Sequence, residues 1–149
     1  MARRFQHLGV EWEATPTGTG HGVGTGFLPS VDRWGFVFRR VSDPAREHRA
    51  HVSGSDAEHV TEDALIHALE EALMVEAIEA SRYVWRTAEA ISRETGIPLE
   101  RVTDLLQTSS RDFITAERPN AQGLTLYSTR DHYRRKEPFL KRYLDNLSS

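Results

Sequence analysis

The chain has 149 residues, 38% of them hydrophobic, which suffices for one domain of ordinary size or two small ones with packed cores. It contains no cysteine, so a disulfide framework and a thiolate zinc site are both excluded, and no run of about 18 apolar residues is available to span a membrane. The formal net charge of −3 hides a division: residues 1–80 carry seven basic and 13 acidic side chains and residues 81–149 carry 12 and nine, so any nucleic-acid work belongs to the C-terminal half.

Along residues 1–57 the pattern is that of a small antiparallel β lobe. The first residues, Met1 to His7, are not followed by an apolar core of signal-peptide length, and a cytoplasmic protein is expected. Val10-Glu-Trp-Glu-Ala14 alternates apolar and acidic positions as a half-buried strand does. Trp34 to Val41 reads as a second strand, with Trp34, Phe36 and Phe38 on one face. Asp43-Pro-Ala and Ser53-Gly-Ser-Asp56 are turn clusters, and Glu47 to Val52 between them reads as a short polar strand. Glycine occupies five alternate positions between Gly18 and Gly26, but neither Gly-Lys-Ser/Thr nor a helix follows, so this run is a loop leading into a strand rather than a phosphate cradle.

The period changes at Thr61. Thr61 is a good N-cap, Glu62 and Asp63 suit a first turn, and Ala64, Leu65, Leu69, Ala72, Leu73, Ala77, Ala80 and Val84 continue a long helix through Tyr83, with the domain boundary near Ser53 to Glu58. Ala88 and Ile91 mark a second helix over Thr87 to Thr95, which Gly96 stops by taking φ > 0. Ile97 plugs the turn, Pro98 fits the first position of a third helix, and Leu99, Val102, Leu105 and Leu106 form its apolar stripe. Asp112 to Ala116, a turn-rich Arg118 to Gly123, and Leu124 to Tyr127 then give alternation, turn, alternation, the signal for a hairpin. Thr129 caps Asp131 to Lys136, and Pro138 opens a terminal helix in which Phe139, Leu140, Tyr143, Leu144 and Leu147 form a stripe. Such a helix either packs back on its own domain or pairs with a second copy to make a homodimer.

Helix, glycine turn, helix and hairpin over Trp85 to Tyr127 resemble the winged helix-turn-helix superfamily, and the resemblance covers Thr61 to Leu147. The expected fold is therefore α+β, with a β lobe over residues 1–57 and a winged helix-turn-helix with a C-terminal helix over residues 58–149. What the resemblance implies is double-stranded DNA as partner, read by the second of the paired helices while the wing meets the phosphate backbone, as in a small bacterial transcriptional regulator. Arg101, Thr103 and Gln107 would then read bases, and Arg111, Arg118, Arg134 and Arg135 would contact phosphates. Glu100 and Asp104 depart from what a DNA reader wants, because a carboxylate near phosphates costs affinity unless it accepts a hydrogen bond from a cytosine amino group. They favour the competing reading of a protein-protein adaptor that docks through the winged helix and the β lobe.

Other chemistries find no support in the pattern. Six of the seven histidines precede residue 68, but His48-x-x-His51 supplies at most two metal ligands, and surface histidines without a shared role are the simpler account. The carboxylate pairs at Glu11 with Glu13, Glu62 with Asp63 and Glu70 with Glu71 lack a nucleophile or metal motif beside them. No catalytic residue, metal or cofactor is expected.

Overall fold

Strand alternation builds the first half of the molecule. A computed structural model describes residues 2–17, 33–53, 57–108 and 113–136. Four strands, β1 (Arg3–His7), β2 (Val10–Pro16), β3 (Arg33–Arg40) and β4 (Asp43–Ser53), pair antiparallel in sequential order. Phe5, Trp12, Ala14, Phe36, Phe38 and Val52 share its inner face because they sit at alternate positions in matching register. They form one core with Val60, Leu65, Ala68 and Leu69. The Phe5 and Phe38 rings meet edge to face at 6.3 Å, and Trp12 is held between the His48 ring at 5.6 Å and the Arg40 guanidinium at 5.3 Å.

One strand was not expected, and one expected turn needs correction. β1 has only Phe5 as an apolar inward residue; its other buried position is His7, which faces the equally buried Glu70 at 3.5 Å. The Arg3 guanidinium donates to the Val60 carbonyl, so both ends of this edge strand are tied to later residues by polar contacts. Asp43-Pro-Ala is not a turn but the start of β4, and the reversal lies at Val41 and Ser42. The register passes from Arg39 with Glu47 to Arg40 with Asp43, and the bulge accommodates Pro44, which has no N–H to give a ladder. The β1–β2 turn puts Leu8 at φ 51° and Gly9 at φ 76°, the two positive values a two-residue hairpin turn of type I′ demands.

On the outer face the register aligns Arg4, Glu13, Arg39 and Glu47 in one row of alternating charge. Arg4 meets Glu13 at 3.3 Å, Glu47 pairs with Arg39, and Arg49 reaches Glu47 at 3.4 Å. The hydrogen bond and charge of Arg39, helped by Arg49, hold the Glu47 carboxyl below its ordinary range. A carboxyl lowered by folding stabilises the folded state above its unfolded-state titration and ceases to do so as acid protonates it in the native chain. Glu47→Gln is therefore expected to be slightly less stable than the parent at neutral pH, and the gap should close as pH falls below the ordinary carboxylate range; urea titrations at several pH values check this, and a gap that widens in acid would contradict it.

Helix α1 (Glu62–Glu79) starts as the sequence requires, with Thr61 Oγ1 accepting from Ala64 N at 3.2 Å and the Thr61 carbonyl from Leu65 N at 3.1 Å. It ends earlier than Tyr83. The last i−4 bond runs from Ala80 N to Glu76 O, Ser81 N turns back to Ile78 O, and Ser81 Oγ takes the Tyr83 N–H, so a serine offers the backbone an alternative to another helical turn. Two compact units, Met1–Leu73 and Met74–Ser149, divide the chain within α1. The first part of this helix therefore belongs with the β lobe, although the shift in composition lies upstream near Ser53 to Glu58.

In the second unit the order is β5 (Arg86–Thr87), α2 (Ala88–Thr95), α3 (Leu99–Thr108), β6 (Phe113–Thr115), β7 (Leu126–Thr129) and a helix over residues 130–136. The strands form a three-stranded antiparallel sheet in the order β5-β7-β6, so the hairpin gains a third strand that the sequence pattern did not suggest. Mixed α+β architecture is thus what the chain adopts. Arg111, Asp112, the run between Gly18 and Gly26, and the terminal helix expected from Pro138 lie outside the described residues.

Candidate nucleic-acid interface

The helix pair is set by a tightly bonded turn. Thr87 is extended at φ −81° and ψ 157°, and its hydroxyl accepts from Ala90 N at 3.2 Å, which starts α2. Gly96 adopts φ 78° and ψ 0° and donates its N–H to Ser92 O at 2.9 Å, the left-handed stop expected of glycine. Side chains then lock the reversal: Ser92 Oγ donates to Ile97 O at 2.6 Å, Thr95 Oγ1 donates to Ile91 O at 2.8 Å, and Ile97 N donates to Thr95 Oγ1 at 3.2 Å. Pro98 accepts the first helical bond, from Val102 N at 3.0 Å, so it stands one residue before the helical run rather than within it.

Ala88, Ile91, Ile97, Val102, Leu105 and Leu106 are buried, as the spacing requires. Leu99 is not: 42% exposed, it sits at the margin of the α3 stripe and faces outward. The outer face of α3 thus presents Leu99, Glu100, Asp104 and Gln107, with Thr103 half-buried beside them. Thr103 Oγ1 donates to Leu99 O at 2.9 Å, which uses its proton and leaves the oxygen as an acceptor. Arg101 meets Asp104 at 3.3 Å, one turn along the same helix.

The hairpin tip is equally ordered by one residue. Asn120 Oδ1 accepts from Gln122 N at 3.0 Å and Leu124 N at 2.9 Å, Asn120 N donates to Leu124 O, and Gly123 takes φ 79° to close the loop. Arg118, Pro119, Ala121 and Gln122 are left exposed around it. The organising role of Asn120 was legible only as turn composition; an Asn three residues before a Gly is the signal that points to it.

Of the expected phosphate contacts, Arg118, Arg134 and Arg135 are all exposed, and Arg135 also reaches Glu79 at 3.4 Å and the Asp131 carbonyl. The flank is partly committed elsewhere too. Arg86 pairs with Glu94 and donates to Ala77 O, and Arg82 lies over the Tyr83 ring at 5.0 Å. The helix over 130–136 is capped by Thr129 Oγ1, which accepts from His132 N at 3.1 Å, and anchored by the buried His132, whose Nε2 lies 3.0 Å from Tyr83 O. Sequence spacing gave no sign of that anchor. Three of the seven expected contacts, Arg101, Thr103 and Gln107, share α3; Arg118 belongs to the hairpin, Arg134 and Arg135 to the following helix, and Arg111 lies outside the described residues.

Among the described residues no group of three or more histidines or carboxylates is placed to hold a metal ion, and no helix is long and apolar enough to cross a membrane. The chain matches no known protein family, no curated protein and no solved structure.

Proposed function

We propose that the helix pair and hairpin of the second unit form a winged helix-turn-helix that binds double-stranded DNA without covalent chemistry, in a small bacterial transcriptional regulator of the cytoplasm. The observation that carries this reading is the strand order β5-β7-β6 with α2 and α3 inserted between β5 and β6, with exposed residues on the outer face of α3 and at the hairpin tip. On this reading Arg101, Thr103 and Gln107 read base edges, and Arg111, Arg118, Arg134 and Arg135 hold phosphates. Duplex affinity should fall steeply with salt, and Arg134→Ala should weaken binding to every sequence and reduce the log-log salt slope by about one. A fluorescence-anisotropy titration against random duplex checks both. Binding that is absent at low salt, or indifferent to added salt, rejects DNA as the partner.

A second reading, an adaptor that docks another protein, is favoured by the two carboxylates on the outer face of α3. It predicts no duplex binding in that titration. A homodimer through the C-terminal helix is compatible with either reading.

A further inference from the structure

The outer face of α3 carries a carboxylate that a DNA-binding role has to explain. Glu100 is exposed in the first turn of α3, the part of a recognition helix that comes nearest to base edges in helix-turn-helix docking. The other acid of that face, Asp104, lies against the Arg101 guanidinium at 3.3 Å, so its charge is compensated within the helix. Among the described residues, Glu100 makes no ion pair. A carboxylate has only acceptor oxygens, and each phosphate that lines the groove repels it. The groove offers compensation in one form: an exocyclic amino group, which in the major groove is presented by cytosine N4 and adenine N6, the carboxylate pairing being with cytosine and the bidentate amide pairing with adenine.

We infer that Glu100 is the specificity-determining residue of the proposed DNA site, accepting a hydrogen bond from a cytosine N4 amino group in the major groove and so selecting a G·C pair beneath the start of α3. The inference rests on the DNA-binding reading above. Thr103 Oγ1, its proton committed to Leu99 O, is a further acceptor on this helix. Gln107, two turns along from Glu100, carries the amide that suits adenine. The same electrostatics make Glu100 costly on duplexes that lack the amino group at that position, so the residue discriminates by repulsion as well as by attraction.

The test uses the full chain and three synthetic duplexes of equal length: one of mixed G·C pairs, one of mixed A·T pairs, and the first with N4-methylcytosine replacing cytosine, which leaves Watson–Crick pairing and puts a methyl group where the major-groove N–H was. The parent is expected to bind the G·C duplex roughly tenfold more tightly than either of the others. Glu100→Gln, an exposed and nearly isosteric change, should abolish the loss on N4-methylation while keeping the salt dependence, and should bind the A·T duplex at least as well as the parent. Equal, salt-dependent affinity of the parent for all three duplexes overturns the role of Glu100 and leaves DNA binding standing. A preference for cytosine that survives in Glu100→Gln also overturns it and assigns the reading to another residue. Absence of salt-dependent binding to any duplex removes the DNA reading itself, and the assignment with it.

Discussion

Replacing His7 by alanine is expected to destabilise the first unit by about 1–3 kcal/mol, the range for taking one partner from a buried polar contact. The side chains of His7 and Glu70 are only 8% and 5% exposed and lie 3.5 Å apart, one at the end of the edge strand β1 and the other on α1. Taking away the imidazole removes a polar partner from the buried Glu70 side chain and opens a void where the ring was. Replacing both residues together, His7→Leu with Glu70→Met, removes the buried polar contact as a whole and fills the space, and should recover most of the loss. Urea unfolding followed by tryptophan fluorescence measures both, since Trp12 and Trp34 lie in the first unit. A single variant within about 0.5 kcal/mol of the parent, the scale of ordinary surface changes, would show that the pair contributes no net stability.

That pair also shows why β1 escaped the sequence. Alternation finds a strand when the inward positions are apolar, and β2 and β3 satisfy this with Trp12, Ala14, Phe36 and Phe38. β1 fills its inward positions with Phe5 and His7, and the partners that make this tolerable, Glu70 and the Val60 carbonyl, come from after the sheet. A burial pattern that depends on distant polar partners leaves no local periodicity. β5 is invisible for a different reason: two residues, Arg86 and Thr87, are too short for any period, and they become a strand only because β7 supplies the hydrogen bonds.

The candidate site was more legible because its punctuation is local. Gly96 as left-handed stop and Pro98 at the start of a helix each act through their own backbone preferences, and the structure uses both within one residue of where the sequence puts them. Charge placement was not legible in the same way. That Arg101 lies against Asp104, Arg135 against Glu79 and Arg86 against Glu94 depends on packing geometry, which local spacing does not carry. Arg118 and Arg134 are exposed.

Two leucines of α3 carry the sharpest contrast between periodicity and packing. Leu99 and Leu105 both belong to the apolar stripe by spacing, yet Leu105 is fully buried while Leu99 is 42% exposed. Leu105→Ala should cost about 2–5 kcal/mol, the transfer energy of the lost side-chain atoms plus the cavity they leave in the interior of the second unit, where Leu105 is fully buried. Leu99→Ala removes surface that is largely in water and should change stability by about 0.5 kcal/mol or less. Thermal unfolding of the two variants gives the comparison directly. If the outer face of α3 meets a partner, the order reverses for binding: Leu99→Ala weakens association at unchanged stability, because it trims a contact, whereas Leu105→Ala lowers the folded fraction and leaves the affinity of the remaining folded molecules near that of the parent. Equal stability losses at the two positions would mean that Leu99 is packed in solution and that the outward face of α3 has been assigned to the wrong side of the helix.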